Sequence, residues 1–390
     1  MDIERFRIAI PDDDLDDLAA RLARVRWPVE VANDDWRYGS SGAYLRALVE
    51  HWRERFDWRA QERAMNELPH FRTAIDGVPI HFLHVRGKGP RAIPILLGHG
   101  WPWTFWDFHK IIGPLHDPSA FGGSADDAFD VVVPSLPGYT FSTPLTTTGA
   151  NFWRTADLWV ALMDALGYPR FAAQGGDWGA LVAMQLGHKH AERIVGVHLH
   201  FVAALSAFAG KGVDADEYAA DEQDALAANR RFAREGSGYA SVQATRPQTL
   251  AHALEDSPVG LCAWLVDKRR SWSDCGGDVE RRFSKDDLLT TVSLYWLTRS
   301  FGSSARFYWE AAHHPWRPAH DRSPVVEAPT AVAVFPRDVL RMPRGWIARY
   351  CNLQRYTVMP EGGHFAPMEE PARLVDDIRA FFRPLRAGGG

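Results

Sequence analysis

The sequence predicts an α/β protein: a mostly parallel sheet covered by helices on both faces and interrupted by a helical insertion. Three observations carry that expectation. Short runs apolar on both faces ("IPILLGHG", "FDVVVPSLPG", "RFAAQGGDWG", "RIVGVHLHF") alternate with helical patterns, as expected for strands buried on two sides. After Phe201 the rhythm gives way to a Trp-, Tyr- and Arg-rich helical stretch, then resumes after about Pro324 with "PTAVAVFP" and "QRYTVMPEGGH". With 390 residues, 46% of them hydrophobic, the chain is long enough for one large core with insertions.

The elements follow in order. "PDDDLDDLAARLARVRWP" opens with aspartates suited to capping a helix, places Leu15, Leu18, Ala19, Leu22 and Val25 on one face, and ends at Pro28. "GAYLRALVEHWRERFDW" carries a second amphipathic pattern. Residues 1–69 therefore read as a helical arm without strands of its own. "FRTAIDGVPIHFLHVRG" predicts a hairpin turning at Asp76-Gly77. Helical patterns at Phe105–Leu115, Phe152–Leu166 and Ala180–Lys189 separate the strands of a first core segment, 70–200. Residues 201–324 form the insertion, read as a lid, and 325–390 complete the core with "EPARLVDDIRAFF" as the last helix.

Composition limits the function classes. A net charge of −5 gives no bulk attraction to nucleic acid or an anionic membrane. Cys262, Cys275 and Cys351 are far apart and show no metal-ligand spacing, so neither a disulfide framework nor a metal site is expected. "MDIERFRIAIPDDD" lacks the basic-then-apolar run of a signal peptide, and no stretch approaches about 18 apolar residues. The expectation is a cytoplasmic, cofactor-independent protein, with oligomeric state open and a homodimer among the options.

"FAAQGGDWGALVAMQLG" holds the chemistry. Gly175-Gly176-Asp177-Trp178-Gly179 has the spacing of a nucleophile elbow, with Asp177 where a serine commonly sits. Partners are expected in the order nucleophile, acid, histidine. Asp338 in "AVFPRDV" and His364 in "MPEGGHFAPMEEP" both follow predicted strands, the edge where open α/β sheets place their sites. Glu361 and Glu327 compete with Asp338 for the acid role. The loop His99-Gly100-Trp101-Pro102 offers the Trp101 amide, and the elbow offers the Trp178 amide, as an oxyanion hole.

An aspartate is ionised at neutral pH and attacks an sp3 carbon bearing a leaving group, forming an alkyl ester. A histidine is then free to activate water against that ester. The leaving group separates epoxides from haloalkanes, because an epoxide oxygen needs a proton donor and a halide does not. Tyr218, Tyr239, Tyr295 and Tyr308 in the insertion are phenols of the right kind, and the residues alone do not choose among them.

Over nearly its whole length the sequence resembles the α/β-hydrolase-fold epoxide hydrolases of the microsomal and juvenile-hormone type. The likeness runs through "FRIAIPDDDLDDLAARLARVRWP", "HGWP", "PSLPGYTFS", "GGDWG", "EDSPVGLCAW", "RFSKDDLLTTVSLYW", "ARFYWE", "AVFPRD" and "GGHFAPMEEP". It implies an enzyme that turns an epoxide and water into a vicinal diol. It implies Asp177 as nucleophile, His364 as base, Asp338 as orienting acid, and Tyr239 and Tyr308 as the phenols gripping the epoxide oxygen. Trp101, Trp103 and Trp178 join those tyrosines as expected pocket residues, and the many tryptophans suggest an aryl or bulky apolar substrate. Two departures stand out. Trp103-Thr104 replaces the small Gly-Ser usual after HGWP, and the membrane anchor of the mammalian members is not expected. The competing readings are a haloalkane dehalogenase, which shares the triad and tolerates Trp178, and a non-catalytic ligand-binding protein, which need not keep a complete triad.

Overall fold

In a computed structural model the protein is described at residues 2–209 and 213–386. Nine strands form one sheet in the order β1-β2-β3-β5-β4-β6-β7-β8-β9. They are β1 (Glu4–Phe6), β2 (His70–Ile75), β3 (Val78–Val85), β4 (Ile93–Gly98), β5 (Phe129–Pro134), β6 (Phe171–Gly175), β7 (Ile194–Leu199), β8 (Val326–Val334) and β9 (Cys351–Val358). Pairing is antiparallel from β1 through β3 to β5 and parallel from β5 across to β9. The mostly parallel, helix-covered sheet expected from the alternating pattern is therefore present, arranged as the α/β-hydrolase fold that the resemblance implies. The central strands are apolar on both sides because helices cover both faces.

The hairpin turns at Asp76-Gly77, whose φ values of 51° and 74° suit a tight two-residue connection between right-twisted strands. Helices α1 (Asp12–Leu22), α2 (Gly42–Glu54) and α3 (Trp58–Met65) precede it. Here the structure departs from the sequence reading in three ways. The N-terminal segment contributes β1, a three-residue strand too short to show alternation, which pairs with the open edge of β2. The run of aspartates does not cap α1: Pro11 occupies the cap, and Asp12, Asp13 and Asp14 lie in the first turn, where they favour the positive end of the helix dipole. The helix also stops at Leu22, well before Pro28.

In the core, α4 (His109–His116), α5 (Phe152–Ala165) and α6 (Asp177–Lys189) connect the strands. Helix α6 begins at the elbow residue itself, and eleven of its residues are buried, so it runs through the centre of the protein. Between β7 and β8 the described residues contain no strand. They form α7 (Gln223–Arg231), α8 (Gly238–Thr245), α9 (Pro247–Leu254), α10 (Pro258–Trp272), α11 (Lys285–Leu297) and α12 (Phe301–His313). The chain closes with α13 (Arg344–Tyr350), α14 (Ala366–Glu369) and α15 (Pro371–Leu385). Among the described residues, no helix is long and apolar enough to cross a membrane.

Candidate active site

Strands β4, β6, β8 and β9 point the same way, so the loops at their carboxyl ends meet at one edge of the sheet. Those four loops carry His99–Trp101, Asp177, Asp338 and His364 respectively. Asp177 itself has φ +50°, a left-handed conformation that a side chain of its type adopts at a cost. The tight strand-to-helix turn requires close backbone approach on its far side. A Cβ on Gly179 would lie 2.0 Å from the Gly98 carbonyl oxygen, so the last elbow position admits glycine alone.

The two Asp177 oxygens have different surroundings. Oδ1 accepts from the amide of Trp101 at 2.9 Å and from that of Trp178 at 2.7 Å. Oδ2 faces His364 Nε2 at 3.3 Å, too poorly aligned for a hydrogen bond, and Nε2 has no other partner among the described residues. One oxygen is thus pinned and the other is open. On the opposite side of the imidazole, His364 Nδ1 meets Asp338 Oδ1 at 2.7 Å. The Asp338 carboxylate is fixed by the Val339 amide at 2.6 Å, and its loop is bridged to the histidine loop at Arg337 and Gly363. Burial alone would lower the His364 pKa, but the carboxylates of Asp338 and Asp177 outweigh it and raise it to about 9.

Glu327 and Glu361, the competing acids, are occupied elsewhere. Glu327 pairs with Arg322, and Glu361 with Arg373 and Arg282.

Aromatic side chains from the insertion cover Asp177. Tyr239 of α8 stacks on Trp101, with centroids 5.0 Å apart and planes 7° apart. Tyr308 of α12 stands edge-on to Trp178 at 4.7 Å and to Tyr239 at 5.8 Å. Burial foremost keeps both phenols protonated far above the ordinary tyrosine pKa; Tyr239 and the Asp177 charge raise Tyr308 further, and the Asp177 charge raises Tyr239 although its contact with Tyr308 works the other way. Trp272 packs against Trp101, Tyr239 and His364, extending the aromatic wall. The other two tyrosines have their hydroxyls engaged: Tyr218 accepts from Asn229 at 2.8 Å, and Tyr295 donates to the Trp103 carbonyl at 2.9 Å.

Trp103 stands apart from the tyrosines. Its ring stacks on His200 at 5.6 Å and meets His364 and Phe365 at 5.5 Å each. Fully buried, it backs the histidine, and none of its ring contacts is to Tyr239 or Tyr308.

Sequence reasoning did not single out two groups beside the site. Glu369 accepts from the amides of Phe365 at 2.9 Å and Asp274 at 2.7 Å, and burial pushes its carboxyl up to about 7. It fastens the histidine loop to the chain after α10. Arg269, in the last turn of α10, forms a buried ion pair with Asp107 at 2.6 Å. Arg269 sits in the basic run Lys268-Arg269-Arg270 of "LCAWLVDKRRSW", and nothing local identifies its distant partner.

Comparison with known proteins agrees in kind with this geometry. Residues 3–108 match the family model described as "Epoxide hydrolase N terminus", and residues 93–241 match "alpha/beta hydrolase fold". The chain is 44% identical to a protein of Stigmatella aurantiaca over 386 residues, 99% of this chain and 86% of that one. It is 37% identical to epoxide hydrolase 1 of Sus scrofa over 401 residues, covering 97% and 88% of the two chains. The solved structure of Aspergillus niger epoxide hydrolase superposes with a TM-score of 0.86 at 32% identity, covering 99% and 97%.

Proposed function

This chain belongs to the epoxide hydrolase family of the α/β-hydrolase fold, and on that premise we propose that Asp177, His364, Asp338, Tyr239 and Tyr308 convert an epoxide to a vicinal diol in two steps. The observation that carries the assignment is the division of labour at Asp177: Oδ1 is held by two amides, while Oδ2 is left open beside an unpaired histidine nitrogen. In the first step Oδ2 attacks an epoxide carbon. The C–O bond of the ring breaks, and Tyr239 or Tyr308 protonates the departing oxygen. This leaves a hydroxyalkyl ester and a tyrosinate.

Alkylation also resets the base. Ester formation removes the Asp177 charge, one of the two carboxylates that raise the His364 pKa. The imidazolium then gives its proton to the strongly basic tyrosinate and becomes neutral. In the second step neutral His364 takes a proton from water, whose oxygen attacks Cγ of Asp177. The charge that develops on Oδ1 meets the amides of Trp101 and Trp178. Collapse releases the diol, with Oδ2 leaving in the product, and returns Asp177 as carboxylate and His364 as imidazolium. Asp338 holds Nδ1 and thereby the orientation of the ring.

The helices between β7 and β8 act as a lid that supplies the two phenols. The aromatic faces of Trp101, Trp178 and Trp272 favour an aryl or bulky apolar epoxide. A single turnover in 18O-labelled water tests the scheme. The new oxygen is expected in the peptide containing Asp177 and not in the diol. Label found only in the diol means direct attack by water and refutes the ester.

A further inference from the structure

We propose that Arg269 on α10 and Tyr295 on α11 are positioning residues that set the Trp101 amide of the oxyanion hole, so that seating the lid and completing the hole are one structural event. The proposal rests on the two-step reading of Asp177 given above.

The Trp101 N–H belongs to the planar Gly100–Trp101 peptide, so whatever fixes one end of that unit aims the other. Its carbonyl end, Gly100 O, accepts from the Trp103 amide at 3.2 Å. The Trp103 carbonyl in turn accepts from the Tyr295 hydroxyl at 2.9 Å. One residue earlier, the Pro102 carbonyl accepts from Arg269 Nη2 at 3.2 Å. One residue later, the Thr104 amide donates to Asp107 Oδ2 at 2.8 Å, and Asp107 Oδ1 takes Arg269 Nη1 at 2.6 Å. Three consecutive residues of the loop are thus held, directly or through Asp107, by side chains from two lid helices.

The grip is a buried one. The Arg269 and Asp107 side chains are each 3% exposed. Buried carbonyls must be paired, and the lid supplies the partners of these two. The planar fork of an arginine reaches a carboxylate and a carbonyl together, which an ammonium does not. The same guanidinium lies 4.2 Å over the ring of Phe365, the residue after His364. A single lid side chain therefore touches the loop that carries the oxyanion donor and the loop that carries the base.

The two half-reactions depend differently on that donor. During alkylation negative charge leaves Oδ1, whereas during hydrolysis it builds there. A displaced Trp101 amide therefore penalises hydrolysis more than alkylation. Removing an oxyanion donor slows catalysis about 10²–10³-fold, and a misplaced one is expected to cost about tenfold.

The test is rapid mixing with styrene oxide, acid quench and intact-protein mass spectrometry, comparing Tyr295→Phe and Arg269→Lys with the unaltered enzyme. Both variants should slow ester hydrolysis about tenfold relative to its formation, so that the adduct accumulates in the steady state. If either variant fails to fold, the other still decides. An unchanged ratio of the two rates, even with a lowered Tm, overturns the positioning role and leaves these residues as lid supports. His364→Gln is run alongside: an adduct on it upholds the covalent reading. Its absence there overturns that reading itself, a result distinct from unchanged ratios in an enzyme that does form the adduct.

Discussion

Neutralising Asp177 should release His364 from its raised pKa, and the size of the change follows from one distance. His364 Nε2 and Asp177 Oδ2 are 3.3 Å apart, with the imidazole fully buried. Two unit charges at that separation attract by about 5 kcal/mol at an effective dielectric of about 20, an upper bound for a real pair. At about 1.4 kcal/mol per pKa unit, this corresponds to at most about 3 to 4 units. The two amides on Oδ1 already absorb part of the Asp177 charge, which brings the expected fall nearer to about 2 units. Asp177→Asn should therefore move His364 from about 9 to near or just below neutrality, with Asp338 still holding Nδ1. NMR titration of the imidazole, assigned by loss of its signal in His364→Gln, measures this directly. A His364 pKa unchanged within about half a unit would refute the claim that alkylation itself readies the base.

Three further outcomes are expected. Tyr308→Phe and Tyr239→Phe should each slow adduct formation by about 10- to 100-fold in stopped flow, and the double variant more; wild-type alkylation in the double variant would exclude the phenols as proton donors. Gly179→Ala forces a methyl to within 2.0 Å of the Gly98 carbonyl, backbone against backbone. It should destabilise the protein by about 3 kcal/mol or prevent folding, and a Tm within about a degree of wild type contradicts the packing argument. Because the folded pKa of His364 is raised to about 9, its contribution to stability is full below its unfolded value of about 6.5 and is lost as pH rises towards 9. The Tm advantage of wild type over His364→Gln should accordingly shrink across that window. An advantage that grows there has the wrong sign.

Much of the fold was legible because its signals are local. Strands β4 to β7 announced themselves as short apolar runs, and the hairpin as Asp76-Gly77. Candidate residues were found by position after a strand, and the edge formed by β4, β6, β8 and β9 explains why that rule brings Asp177, Asp338 and His364 within reach of one another. What stayed hidden depends on distant partners. Strand β1 exists because β2 offers it an edge: Phe6 pairs with His70, 64 positions further along the chain. Arg269 and Asp107 are 162 positions apart and gain meaning only when α10 lies over the loop after β4. Trp103 reads as a pocket residue because it stands where a small one is usual after HGWP; its ring lies against His200 and His364, neighbours that the sequence places about 100 and 260 positions away.

Trp101, Trp178, Tyr239 and Tyr308 around Asp177 are each no more than 9% exposed, and the Asp177 side chain itself is 13% exposed. Because α8 and α12 carry Tyr239 and Tyr308, any displacement of those helices changes access to Asp177. Seen as traffic, each cycle of the proposed reaction brings an epoxide and a water to Asp177 and removes a more polar diol from among the same aromatic rings. Aromatic rings of this kind suit an apolar epoxide better than the diol it becomes, so release of product is a step on which the fold, and not only the chemistry at Asp177, acts.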